Sequence, residues 1–283
     1  MWKDSYAIGV ELLDNQHRQL FEAVEILMKT PKIDLSPKQY RGQIEKAVKF
    51  LKMYCVKHFQ DEEAYHLEIG YAEREKHKKL HRKLIEGVLK HEKRLIDSDF
   101  DYGIVKKFFG FVMTGLIYHV AGEDQKLNKA SVEEIAAQAR GSVQDFAARA
   151  KKVLRTVTGL ASEDIALEVG ADRRIMEGVC YTVGLVGGQK KGIGIVFSNT
   201  IAFGALKAMT SMELTELNEV VYSALQEISN IVSSRIADAV ALAKGSEFCD
   251  IDHPVRVDIA DVPQGIDSFS MRTSIGDMEI VVY

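Results

Sequence analysis

The chain has 283 residues, 46% of them hydrophobic and 28% charged, which is the composition of a globular protein with one large domain or two of ordinary size. A formal net charge of -4 argues against the basic surface that nucleic acid or an acidic membrane would require. Three scattered cysteines, Cys55, Cys180 and Cys249, make no disulfide framework.

The amino terminus lacks the basic and apolar regions of a signal peptide. The longest uncharged run, residues 108–122, is too short to span a bilayer and contains His119. A cytoplasmic protein with no membrane and no nucleic-acid partner is the expectation.

In chain order, residues 15–28, 40–66, 71–96 and 102–127 carry apolar residues at three- and four-residue spacing, which predicts helices. In the last of these, Phe108, Phe109, Val112, Met113, Leu116 and Val120 form the stripe. Four such helices with short joints predict an antiparallel four-helix bundle. A further amphipathic stretch over 131–158 carries Val132, Ile135, Ala139, Val143, Phe146, Ala150, Val153 and Leu154 on one face. Ser131 and Glu134 read as a capping box at its start. It reads as a linker, a dimer seam or the first helix of a second domain.

The β-branched, glycine-bounded segments 165–169, 176–186 and 192–197 predict strands. Helices are predicted over 200–209 and 214–244, then strands around 255–259, 268–274 and 278–282. This half is an α+β domain with a long helix on a β-sheet. Two residue distributions divide the chain at the same point. Seven of the eight histidines precede residue 120, whereas the glycine cluster Gly184, Gly187, Gly188, Gly192 and Gly194 lies beyond it. The boundary is set near Lys129, giving domains 1–129 and 130–283, with 130–158 as connector or first helix.

Each predicted helix of the first half offers metal-ligand side chains. The first carries His17, the second His58 and Glu62 one turn apart, the third His77 and His81 one turn apart, and the fourth His119 with Glu123 and Asp124 behind it. Bundles build internal di-metal sites in this way. Five imidazoles and two carboxylates exceed the four ligands of a zinc site. If both carboxylates and one solvent oxygen bridge, eleven of the twelve positions of two octahedral metals are filled, and the open one suits a diatomic ligand; such a donor set favours iron.

Over residues 1–128 the sequence resembles the bacterial hemerythrins. The matching segments are Trp2…Tyr6…Gly9, Leu13-Asp14-Asn15-Gln16-His17, His58-Phe59-Gln60-Asp61-Glu62-Glu63, His77 with His81, and His119-Val120-Ala121-Gly122-Glu123-Asp124. The resemblance implies that His17, His58, Glu62, His77, His81, His119 and Asp124 ligate two irons joined by an oxo or hydroxo bridge, with dioxygen as the small ligand. His119 and Asp124 lie five apart, about 140° around an ideal helix. Periodicity alone would select Glu123, so the family ligand Asp124 demands a bent or widened turn. His66, His91 and His253 match nothing and read as ordinary; Cys55 reads as packing. Leu116 reads as a wall of a dry pocket or as plain core.

On the long second-domain helix, Ser223, Glu227, Asn230 and Ser234 form a polar stripe apart from the apolar face of Val221, Ala224, Leu225, Ile228 and Val232. Glu227 and Asn230 are expected to project together from a flat, exposed surface. A polar pair of this kind is ordinarily decoration. However, Glu227-Ile228-Ser229-Asn230-Ile231, preceded by Glu219 and Ala224, with the Gly188…Gly194 strand pair and Pro254, resembles the CheX and CheC phosphatases over residues 132–283. Ser234 departs from a glycine often found there. The resemblance implies hydrolysis of the aspartyl phosphate of a CheY-like response regulator, which supplies its own magnesium and lysine, and often implies a homodimer. Asn230 would orient the attacking water and Glu227 would pair with the receiver's lysine. The expectation is therefore an oxygen- or redox-sensing phosphatase; the rival is an oxygen or iron carrier with a non-catalytic docking or dimerisation domain.

Overall fold

The computed structural model describes residues 2–29, 35–127, 141–170, 174–186, 192–243, 250–263 and 267–283. They divide into two compact units, Met1–Val132 and Glu133–Tyr283.

The first unit holds helices α1 (Glu11–Lys29), α2 (Pro37–Glu68), α3 (Arg74–Asp97) and α4 (Tyr102–Tyr118). Each packs on two neighbours in the ring α1–α2–α3–α4. Leu13, Leu20 and Phe21 of α1, Ile44 and Leu51 of α2, Leu95 of α3, and Phe108, Met113 and Ile117 of α4 fill the interior. Each such side chain contributes about 1.5–3 kcal/mol on burial. By length and composition the helical stretch Tyr102–Leu127 could cross a membrane, but 67% of its most apolar window is buried inside the bundle.

Caps set the helix starts earlier than the apolar stripes suggest. Ser36 and Gln39 form a reciprocal capping box with Pro37 at the first helical position. In α1, Asp14 accepts the backbone N–H groups of Ile8 and Gly9 at 2.8 and 3.0 Å, pinning the preceding segment to the helix.

The second unit comprises α5 (Val143–Thr158), β1 (Ile165–Val169), β2 (Gly178–Val186), β3 (Gly192–Ser198), α6 (Asn199–Thr210), α7 (Glu219–Ala243), β4 (Asp250–Ile251), β5 (Val255–Val257), β6 (Asp267–Thr273) and β7 (Gly276–Val282). The sheet runs β1-β6-β7-β3-β2-β4, with β5 also paired to β2; every pairing is antiparallel. Val179, Tyr181 and Val183 alternate onto the face that meets the helices, where the Tyr181 hydroxyl donates to the Tyr222 carbonyl of α7 at 2.6 Å. The other face is closed by Cys180 and Val196 packed on Ile175 and Val262. Asn218 accepts the N–H groups of Val220 and Val221, so α7 begins at Glu219 rather than 214.

Two sequence expectations need correction. Gly141 has φ +75°, a left-handed conformation that glycine adopts without penalty, and Ser142 caps the start of α5 through the Asp145 N–H. Helix α5 therefore starts anew at Val143 and does not continue the helix that carries His119. Phe146 is fully buried within its own domain, where α5 packs on α6, α7, β1 and β6, so that face is unavailable as a dimer seam. The Ser131–Glu134 capping box, Val132, Ile135, Ala139, Lys129, Gly187, Gly188 and Cys249 lie outside the described residues. Cys55 and Cys180 are free thiols.

Candidate metal centre and the polar pair of the second unit

The seven ligand-type side chains converge inside the bundle, and all are buried. His17 Nε2 lies 3.1 Å from His58 Nε2 and 3.2 Å from Asp124 Oδ2. His77 Nε2 lies 3.2 Å from Asp124 Oδ1 and 3.3 Å from Glu62 Oε1. His81 Nε2 is 3.0 Å and His119 Nε2 3.5 Å from Glu62 Oε2. Two overlapping groups, Glu62–His77–His81–His119 and His58–Glu62–His119–Asp124, each gather their donor atoms within 4.8 Å of one another. Glu62 and His119 belong to both.

The widened turn demanded by the His119–Asp124 spacing is present. Residues His119–Glu123 form a π-helical turn, and the Asp124 N–H donates to the His119 carbonyl. The extra residue in that turn swings Asp124 onto the face of His119. Glu123 is engaged elsewhere, accepting from Tyr118 at 3.1 Å and from Lys126 at 2.6 Å.

Partners behind the ring set the tautomers. His58 Nδ1 lies 3.0 Å from Gln16 Oε1, and His81 Nδ1 lies 3.0 Å from Glu63 Oε1. Each acceptor fixes the proton on Nδ1 and leaves Nε2 bare toward the cluster, as metal-binding histidines require. The sequence reading assigned Gln16 and Glu63 no role. Phe59 stacks on the His81 ring at 4.0 Å.

The cluster suits bound metal. Among the described residues, both oxygens of Glu62 and of Asp124, and the Nε2 atoms of His77, His81 and His119, are buried without a hydrogen-bond partner. Ordinary interiors leave few such atoms unsatisfied, and here they share one point. The protonation balance also favours cations. Burial alone would raise the Glu62 carboxyl, but His119, His66, His77 and His81 hold it well below the usual range. Burial alone would lower His77, but Asp124 and Glu62 push it up to about 10. Burial with the neighbouring His17 drives His58 down to about 3.

Beside His119 lies an apolar cavity of about 40 Å³, walled by Leu51, Cys55, Phe59, Val88 and Leu116. It is large enough for one small molecule. Burial raises the Cys55 thiol to about 12, so it lies there as an apolar, protonated group.

In the second unit, Val221, Ala224, Leu225, Ile228 and Val232 of α7 are fully buried. Glu227 and Asn230, one turn apart, are half-buried rather than exposed, and Ser223 is buried. This corrects the flat, exposed stripe. Burial pushes the Glu227 carboxyl up to about 8, although a hydrogen bond from Asn230 opposes that rise. The turn is held in register because the Gln226 amide donates to the Pro254 carbonyl at 2.8 Å.

A four-helix bundle enclosing an imidazole–carboxylate cluster defines a metal-binding bundle protein. Residues 8–130 match the family model described as the hemerythrin HHE cation binding domain. A bacteriohemerythrin of Clostridium acetobutylicum is 31% identical over 126 residues, 44% of this chain and 96% of the relative. One of Campylobacter jejuni is 32% identical over 122 residues, 42% of this chain and 85% of the relative. Through its first half, the chain belongs to the hemerythrin family. Among solved structures, the chemotaxis protein CheX of Vibrio vulnificus is 24% identical, with TM-score 0.41, over 50% of this chain and 98% of that one. A chain of the CheX–CheY–BeF3–Mg complex of Borrelia burgdorferi is 20% identical, with TM-score 0.41, over 50% of this chain and 96% of that one.

Proposed function

We propose that this chain is an oxygen- or redox-responsive di-iron protein that dephosphorylates a phosphorylated CheY-like response regulator. The observation that carries the reading is the presence in one chain of the buried, unsatisfied cluster around Glu62 and Asp124 and of the Glu227–Asn230 pair on α7. His17, His58, Glu62, His77, His81, His119 and Asp124 would hold the two irons. Bound there, iron would supply dioxygen affinity and a change of oxidation state. The chain's own residues would orient the ligand nitrogens through Gln16 and Glu63 and keep water from the cavity beside His119.

For the second activity, Asn230 orients a water in line with the phosphorus of the receiver's aspartyl phosphate. The water's oxygen bonds to phosphorus, the carboxylate leaves, and inorganic phosphate is released. The acyl phosphate is already activated, so positioning does most of the work. Incubation with a phosphorylated receiver should release phosphate above the receiver's own rate. A rate no higher than that would leave only the oxygen or iron carrier.

Glu227 gives this reading a pH signature. A carboxyl held up to about 8 is mostly neutral at pH 7 and must ionise to pair with a receiver lysine. Docking therefore releases a proton below pH 8. Receiver affinity is expected to strengthen as pH rises, by up to about tenfold per unit, and to level off above 8. The same shift makes Glu227's stability contribution complete below its ordinary value and lost as pH climbs through 8. Titrating receiver affinity against pH for the native protein and for Glu227→Gln checks this; a pH slope that survives in Glu227→Gln refutes it.

The two centres are expected to be linked. Phosphatase activity should differ between the anaerobic diferrous and air-exposed forms by a factor of about 5–150, a coupling of roughly 1–3 kcal/mol. The difference should vanish in Asp124→Ala. Since α5 begins afresh at Val143, a continuous helix is not the carrier, and equal rates in both redox states would refute the link.

A further inference from the structure

His66 belongs to none of the seven ligand positions, yet it lies inside the cluster. It follows Glu62 by one turn of α2, as Glu62 follows His58, so the three share a helix face. Its side chain is fully buried, and Nε2 stands 3.4 Å from Glu62 Oε1. Its ring packs against His77 at 4.7 Å and Tyr71 at 4.8 Å between centroids. Among the described residues, neither ring nitrogen has a hydrogen-bond partner.

A neutral imidazole always carries one N–H and one lone pair. Leaving such groups buried and unpaired is unfavourable, a cost that a leucine in the same space would not incur. The carboxylate oxygen beside Nε2 is the acceptor that removes part of it. His66 is absent from both groups of mutually close donor atoms, so its geometry does not fit a further metal ligand. A carboxylate oxygen has two lone-pair directions and can accept an N–H while facing a metal.

We infer that His66 is a positioning residue of the metal centre: its Nε2–H donates to Glu62 Oε1 and fixes the rotation of that carboxylate between the two metal positions. This rests on the reading of Glu62 as a bridging ligand. A shift of a few tenths of an ångström brings the 3.4 Å contact to an ordinary hydrogen bond. The donated hydrogen also withdraws charge from Oε1, which makes the two Glu62 oxygens unequal donors. His66 thereby does for the bridging carboxylate what Gln16 does for His58 and Glu63 for His81.

The test uses the full chain loaded anaerobically with ferrous iron, in the native form and as His66→Leu, His66→Gln and His77→Ala. At saturation His66→Leu should still hold about two irons. It should yield them to a chelator at about 10–100-fold lower competitor concentration, the usual effect of losing a partner behind a ligand. Its air-oxidised absorption bands should shift. His66→Gln, whose amide can reach the same oxygen, should recover most of both. The metal-free His66→Leu should melt close to the native protein, because the lost hydrogen bond to Glu62 is offset by removal of the buried Nδ1, which has no partner among the described residues. If leucine does not fold, the more pliable His66→Met tests the same loss. Native iron affinity in His66→Leu overturns the proposal, as does His66→Gln performing no better than leucine. One iron fewer at saturation would make His66 a ligand and overturn the positioning role. Full iron retention in His77→Ala would instead break the ligand reading, and the proposal would fall with it.

Discussion

Purified with iron, the native protein should hold about two irons per chain, and His77→Ala should lose most of them. His77 Nε2 contacts both carboxylates of the cluster, Asp124 at 3.2 Å and Glu62 at 3.3 Å, so its loss removes a donor that reaches both. The expected effect on stability is large. Taking charged groups out of water costs several kcal/mol per ion unless compensated, and Glu62 and Asp124 are both fully buried. A metal that binds only the folded state at a thousand times its dissociation constant contributes about 4 kcal/mol. For a bundle of this size that corresponds to a rise in Tm on the order of 10–20 °C. Chelation should reverse it in the native protein and do little in His77→Ala. Metal analysis with melting curves checks both; two irons per chain in His77→Ala would refute the ligand assignment.

Asn230→Ala should lower receiver dephosphorylation by about a hundredfold or more while leaving the fold nearly as stable. A misplaced reacting group costs a factor of this order. The stability effects nearly cancel. Losing the hydrogen bond to Glu227 costs about 1 kcal/mol, whereas alanine in a helix interior returns roughly 0.5 kcal/mol. Phosphate release from the phosphorylated receiver, compared with the melting temperature, separates the two. Near-native turnover in Asn230→Ala would refute the water-positioning role. Glu227→Ala should weaken docking as well as turnover, since in the proposed complex its carboxyl would face the receiver's lysine.

Much of the site was legible in the sequence because its signals are local. Histidine and carboxylate residues one turn apart on α2 and α3 must share a face whatever surrounds them, so His58 with Glu62, and His77 with His81, could be read directly. The conflict between the five-residue His119–Asp124 spacing and an ideal helix was also local, and it correctly demanded the π turn. Strand β1 was placed to the residue by its β-branched run and its flanking Gly170. The Ser36–Gln39 capping box was equally local, but it precedes the apolar stripe, and periodicity alone began the helix too late.

Other features depend on segments far apart in sequence, and the tertiary structure alone decided them. His66 looked ordinary because helical spacing puts it on the ligand face but does not say how far along that face the cluster extends. The approach of His77 and Tyr71 from beyond α2 packs rings against it. Gln16 and Glu63 became partners of His58 and His81 because different helices bring them within 3.0 Å. The helix of Phe146 was open between a linker, a dimer seam and the first helix of a domain until α6, α7 and the sheet covered it. Glu227 read as exposed, yet packing around α7 encloses it enough to raise its carboxyl to about 8. The sequence by itself determined which residue types share a helix face, because backbone geometry does so within one turn. Burial, pairing and protonation were decided by the tertiary structure, because they depend on which distant side chains displace water from that face.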